Sequence, residues 1–156
     1  MTLDDKLHDY LLPCLQVPAE RFIHAHANIT RPNKAYVDFH VVSNGTIGTE
    51  TRGPDENGMQ EINHTKSVVV QLNFYGETAQ ESADLFLLHM DMEATLTRGE
   101  VLNFGLLSTT APVDTTQEMA KTWERRYTVR ITLSHSTAVL EDVGLIEHVD
   151  ITATFS

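Results

Sequence analysis

The chain has 156 residues, enough to bury a sizeable core, with 22 acidic against 11 basic side chains and a formal charge of −11. That balance argues against phosphate-backbone binding as the main activity, though an acidic wall suits DNA that must slide past without sticking, and it also serves ordinary solubility. One cysteine, Cys14, excludes an internal disulfide; no apolar run nears the roughly 20 residues of a membrane span, and Asp4, Asp5 and Asp9 speak against a signal peptide, so synthesis in a reducing cytoplasm is expected.

Leu3, Leu7, Tyr10 and Leu11 are spaced for a short amphipathic helix. Thr2 and Asp5 stand in capping-box positions, and Pro13 and Pro18 close the segment. Residues 21–27 read as a strand in which His24 and His26 share a face and could chelate. No Cys and no third His lies near in sequence, so exposed or hydrogen-bonded imidazoles are expected instead of a metal site. After Arg31-Pro32, residues 35–47 alternate as a strand through Val37, Phe39 and Val41. Asn44-Gly45 has the residues of a tight type I′ hairpin turn. Residues 49–63 are polar throughout and broken by Gly53, Pro54 and Gly58. They form either a mobile loop or the tip of a long hairpin whose second arm rises into Val68. Such a segment is either plainly disordered or an arm that orders against a partner.

Residues 67–96 organise the chain. Val68, Val70, Leu72 and Phe74 share one face of a strand, and Gly76 frees the backbone to turn. Glu77 and Glu81 then place negative charge at the start of a long helix. In it Ala79, Ala83, Phe86, Leu87, Met90 and Ala94 recur at helical spacing, with Leu85, Leu88, Met92 and Leu96 widening the apolar face. The helix is expected to fold back over the strand and to end at Gly99. Residues 101–107 read as a short strand, and residues 108–110, closed by Pro112, as a loop. Thr115 and Glu118 have capping-box spacing, which predicts a helical turn over 116–121.

Trp123, Glu124, Arg125 and Arg126 make a charged lead-in, read as a solvated strand end, with a buried ion pair or an intersubunit contact as alternatives. Tyr127, Val129, Ile131 and Leu133 then alternate with polar residues in the plainest half-wet strand of the chain. Asp142-Val143-Gly144 turns the backbone, and Leu145, Val149, Ile151, Ala153 and Phe155 set out a last strand. The order predicts an α+β fold, an antiparallel-rich mixed β-sheet with two helices packed on one face, in a single domain over 1–156.

Catalytic signatures are missing from the sequence: no nucleophile elbow, phosphate-cradling loop, dinucleotide fingerprint or His-Glu-x-x-His. His89 and Asp91 fall on different helix faces and make no dyad, and Cys14 beside Pro13 reads as a packing residue. No catalytic, cofactor-binding or metal residue is assigned, no cofactor is expected, and the chain is not read as an enzyme.

Four stretches in order cover most of the chain. They are Arg31-Pro32 through Tyr36-Val37; Val68-x-Val70-x-Leu72-x-Phe74-Tyr75-Gly76 before an Ala- and Leu-bearing helix; Trp123-Glu124-x-Arg126; and Asp142-x-Gly144-x-Ile146-Glu147-x-Val149. Together they resemble the phage neck terminator family, structural virion proteins of tailed bacteriophages. The resemblance implies a tail-terminator-like α+β domain that forms a hexameric ring at the head–tail junction. Such a ring caps the tail tube and meets the head connector, with genomic DNA crossing its lumen without specific binding. On that basis residues 49–63 are a candidate arm toward a neighbouring ring and the C-terminal strand a candidate intersubunit contact. Two other roles compete: a soluble tail-assembly adaptor or chaperone, and a metal-dependent enzyme using His24 and His26.

Overall fold

The structure is a computed structural model and describes residues 1–27, 32, 34–119, 122–142 and 144. Helix α1 (Leu3–Leu11) starts as its capping box dictates: the Asp5 amide donates to Thr2 Oγ1 at 3.2 Å and the Thr2 amide to Asp5 Oδ2 at 3.0 Å. Leu7, Tyr10 and Leu11 turn inward. Two short 3₁₀ turns, Leu12–Cys14 and Ala19–Arg21, carry the chain past its prolines to β1 (Phe22–His24). The expected strand over 21–27 is therefore shorter, with His26 in a turn beyond its end.

Strands β2 (Tyr36–Thr51) and β3 (Met59–Tyr75) form one long antiparallel hairpin. No turn occurs at Asn44-Gly45. Those residues pair with Val68 and Ser67, and the ladder continues to Thr51 opposite Ile62. A turn at 44–45 would have discarded that ladder, and tertiary pairing overrides the local preference. The tip lies at residues 52–58, where the Asp55 carboxylate accepts from the amides of Asn57 and Met59. Of the two alternatives for residues 49–63, the long hairpin holds.

After β3 the backbone corners at Gly76, φ +120°, where a Cβ would sit 2.8 Å from that of Ala35. Helices α2 (Ala79–Met90) and α3 (Glu93–Leu102) follow, then β4 (Phe104–Thr109), β5 (Val113–Asp114), β6 (Gln117–Met119), β7 (Thr122–Glu124) and β8 (Arg126–Asp142). The main sheet runs β1-β2-β3-β8-β4, with β5 also on β8, while β6 and β7 form a separate hairpin. Among the described residues only the β1–β2 pair is parallel. The fold is α+β with a mostly antiparallel mixed sheet, and the described residues hold three α-helices where the sequence suggests two.

The extra helix comes from a break at Asp91-Met92, where Met92 is extended (ψ 148°). The break resets the helical phase. Ala79, Ala83, Phe86 and Met90 are buried as predicted, whereas Thr95 and Gly99 replace Ala94 and Leu96 on the inner side of α3. Leu85, Leu88, Met92 and Leu96, expected to widen the core face, are 42–59% exposed. Gly99 does not end the helix either. It lies inside α3 against the Phe104 carbonyl, and the left-handed cap is Asn103, φ 63°.

The core forms where α1 and α2 meet the sheet face of Val37, Phe39, Val68, Val70, Leu72, Phe74, Val129, Ile131 and Leu133. Phe86 meets Phe74 in a tilted pair at 5.7 Å, and Tyr10 stacks on Phe104 at 5.1 Å. Each such side chain contributes roughly 1.5–3 kcal/mol of burial. Cys14 lies in this core as expected of a packing residue, 3.1 Å from Arg98 Nη2, while Arg98 Nε donates to the Tyr10 carbonyl and ties α3 to α1.

Three smaller expectations fail. Ser108 and Thr109 belong to β4, because β8 offers them partners at Thr132 and Ile131. Residues 101 and 102 are helical. Residues 117–119 are a strand paired with β7 where a helical turn was expected, and residues 120 and 121 lie outside the described residues. The predicted last strand over 145–155 also lies outside them, as does Val143. Gly144, φ +75°, donates its amide to Asp142 Oδ1 as a turn residue would.

Candidate assembly surfaces

Four surfaces stand out, and none was visible in full from the sequence. The first is the sheet face turned away from the core. There Asp38, 4% exposed, accepts from Asn73 Nδ2 at 2.7 Å and from the Tyr75 hydroxyl at 2.9 Å. Asn73 Oδ1 accepts in turn from Thr128 at 2.8 Å, whose hydroxyl meets that of Thr115 at 2.8 Å. Arg126 Nε donates to Thr115 at 3.1–3.2 Å, and Arg130 Nε to Gln71 at 3.1 Å. Tyr75 stacks on Tyr36 at 4.3 Å. Burial, and then the Asp38 carboxylate, push its phenol up to about 12. Both Asp38 oxygens are engaged by neutral donors, so the group is built to fix the register of β2, β3 and β8, not to attack a substrate. A groove of about 410 Å³ opens over this network. The polar phase of these strands is legible in sequence, but that Asp38, Asn73 and Thr128 meet depends on the Asp38–Asn73 and Asn73–Thr128 register.

The second surface surrounds the β6–β7 hairpin. Trp123 is 72% exposed and lines both a groove of about 1030 Å³, shared with Glu77, Asp114 and Arg125, and a neighbouring one of about 540 Å³ toward Tyr36 and Tyr75. The charged lead-in of the sequence is thus an exposed indole among charges of both signs, the composition of a contact site.

The third is a ribbon. Beyond the core, β2, β3 and β8 continue together to Thr51, Met59 and Asp142. From Ser136 to Asp142 this adds about 20 Å. Residues of β2 from Ser43 and of β8 from Ser136 are exposed, while β3 between them is half-buried.

The fourth is the outer side of α2 and α3. Leu85, Leu88, Met92, Leu96 and Val101 are exposed there, interspersed with Glu81, Asp84, Asp91, Glu93 and Glu100.

The sequence-predicted histidines lie elsewhere. His24 Nε2 is 3.3 Å from Asp4, its ring is 5.9 Å from that of His26, and His26 is 5.3 Å from His40 of β2. The third imidazole comes from a distant part of the sequence, which is why local spacing missed it. Burial, and then His26, lower the pKa of His40, and its buried Nδ1 has no hydrogen-bond partner among the described residues. Among the described residues no three His, Cys, Asp or Glu side chains are arranged to hold a metal ion.

Fold and surfaces together define an α+β protein rich in exposed contact faces. The profile of the phage neck terminator protein matches residues 1–156, and the chain belongs to that family. The family is structural and non-enzymatic, with its place at the junction of phage head and tail. The family expected from the four sequence stretches is therefore the one found. No curated protein gives a significant match. Among the described residues no helix is long and apolar enough to cross a membrane.

Proposed function

We propose that the chain is a single 1–156 domain that assembles as a ring of identical copies, six on the family's expectation, at the head–tail junction. The ring caps the tail tube on one side and meets the head connector on the other, and genomic DNA crosses its lumen without specific binding. Membership of the neck terminator family over residues 1–156 is the observation that carries this reading. The exposed Trp123 hairpin, the ribbon and the apolar flank of α2 and α3 supply more contact surface than a solitary protein of this size needs. A ring requires one patch to meet a different patch on the next copy, and a chain with several distinct exposed faces meets that condition. The −11 charge fits a lumen that repels the DNA backbone.

The test is electron microscopy of particles made with the gene interrupted. Filled heads separated from tails are expected. Overlong tails would assign length termination, and tails of normal length would assign neck joining. Intact infectious particles would overturn the structural role. Mass spectrometry of purified wild-type virions separates a resident protein from an assembly adaptor or chaperone, which would be absent from the finished particle.

A further inference from the structure

We propose that the two outer edges of the ribbon are complementary halves of one contact. The β2 edge at residues 43–49 receives the β8 edge at residues 137–140 of a second copy of this chain, as a parallel strand pair. This rests on the reading that copies assemble, and it names the surface they use.

Four observations lead there. Among the described residues both edges are unpaired: β1 covers β2 only at Val37–Phe39, and β4 covers β8 only as far as His135 and the Ser136 amide. Unpaired strand edges are ready templates for another chain. Next, β2 and β8 are both antiparallel to β3, so they run in the same direction on opposite sides of one ribbon. A rotation that carries one copy to the next sets β8 beside β2 in parallel. Repeated around a ring, this head-to-tail contact leaves neither ribbon edge free.

Charge is distributed to suit. In a chain with a formal charge of −11, residues 43–49 and 137–140 hold no charged side chain, while Glu50, Arg52, Asp55, Glu56, Glu141 and Asp142 gather at the tip. Like-charge repulsion between side chains is thus absent along both edges.

Lastly, Gly45 and Gly48 sit mid-strand, where glycine weakens a sheet. Neither has a positive φ, and a Cβ on either would meet no atom of the described residues within 4 Å. Gly48 falls at a register shift, where a bulge itself favours glycine; among the described residues nothing of that kind accounts for Gly45, and close approach by another backbone does. The register shifts at Val41/Ser43 and Thr46/Gly48 add bulges, which bend a strand as closure of a sheet demands.

The experiment uses the full chain. Gly48→Val and Gly45→Val are expected to leave the thermal midpoint of the isolated chain unchanged or raised. In sedimentation or light scattering they should weaken self-association at least about tenfold. In a mixed sample, Thr46→Cys chains and Ala138→Cys chains are expected to be joined by a short bismaleimide, while each variant alone is not; Cys14 is buried and stays silent. Wild-type assembly by both valine variants, without mixed cross-links, overturns the pairing and leaves the ring intact. Wild-type chains that stay monomeric, alone and on isolated tails, overturn the ring and the pairing together.

Discussion

Replacing Tyr75 by Phe removes one hydroxyl and leaves every other contact of the ring in place, including its stack on Tyr36 at 4.3 Å. The hydroxyl donates to Asp38 Oδ2 at 2.9 Å, and Asp38 is 4% exposed. A hydrogen bond to a charged group contributes about 1.5–3 kcal/mol, and the loss leaves a buried carboxylate oxygen short of a donor. Burial, and then the Asp38 carboxylate, raise the phenol from 10.0 to about 12, so the fold disfavours the phenolate. Tyr75→Phe should therefore unfold about 2 kcal/mol more easily in urea at pH 8, followed by circular dichroism. The pH dependence adds a sharper check. Because the folded pKa is raised, the stabilisation is complete below pH 10, where Tyr75 is neutral in both states, and fades as pH climbs toward 12 and the unfolded chain ionises first. The difference between wild type and variant should shrink across that window. Tyr10, whose phenol is also pushed up by burial, is present in both proteins and cancels. Equal stability at pH 8, or a difference that persists undiminished toward pH 12, would refute the role given to the Asp38 network.

Gly99→Ala tests whether tertiary space outweighs helix propensity. Alanine should gain about 1 kcal/mol in a helix interior, but its Cβ would lie 2.6 Å from the Phe104 carbonyl oxygen and 3.3 Å from the Tyr10 ring. A net loss of about 1 kcal/mol or more is expected from chemical denaturation, and a more stable variant would show that β4 yields there. Replacing residues 53–60 by Asn-Gly, which joins Arg52 to its partner Glu61 by a two-residue turn, should leave the circular dichroism spectrum and melting cooperativity intact, since the core lies elsewhere. The same change should harm particle assembly, scored by the yield of joined heads and tails, and an unfolded variant would show that the tip belongs to the folding core. Finally, burial lowers the pKa of His135, whose ring stacks on Phe104 and bonds the Asn103 carbonyl, and that of His40. Both pKa values fall below the unfolded value of 6.5, so their contribution is complete above that pH and is lost as the pH falls below it. His135→Phe should flatten the acid limb of a stability–pH curve, and an unaltered limb would place the titration elsewhere.

Several elements needed only the sequence. The capping box at Thr2 and Asp5, the alternation from Val68 to Phe74 and the alternation from Tyr127 to Leu133 are local signals, and each element formed where its signal lies. They are strong because period and cap chemistry agree over many residues, and they suffice for the α+β class. What depended on tertiary pairing was not legible. Asn44-Gly45 has ideal turn residues, yet a long β3 with partners on both sides holds those residues in a strand. Leu85 and Leu88 lie off the buried Ala79, Ala83, Phe86 and Met90 face of α2, and the break at Asp91-Met92 resets the phase so that Met92 and Leu96 also stay outside. Gly99 has the composition of a helix end but serves close packing against β4. The contact surfaces belong to the same category. Asp38, Asn73 and Thr128 lie 35 and 55 residues apart along the chain and meet only through register. Periodicity determines which face of an element is apolar. Which elements lie beside one another, and so which faces and edges remain open to other chains, is decided by packing among residues distant in sequence.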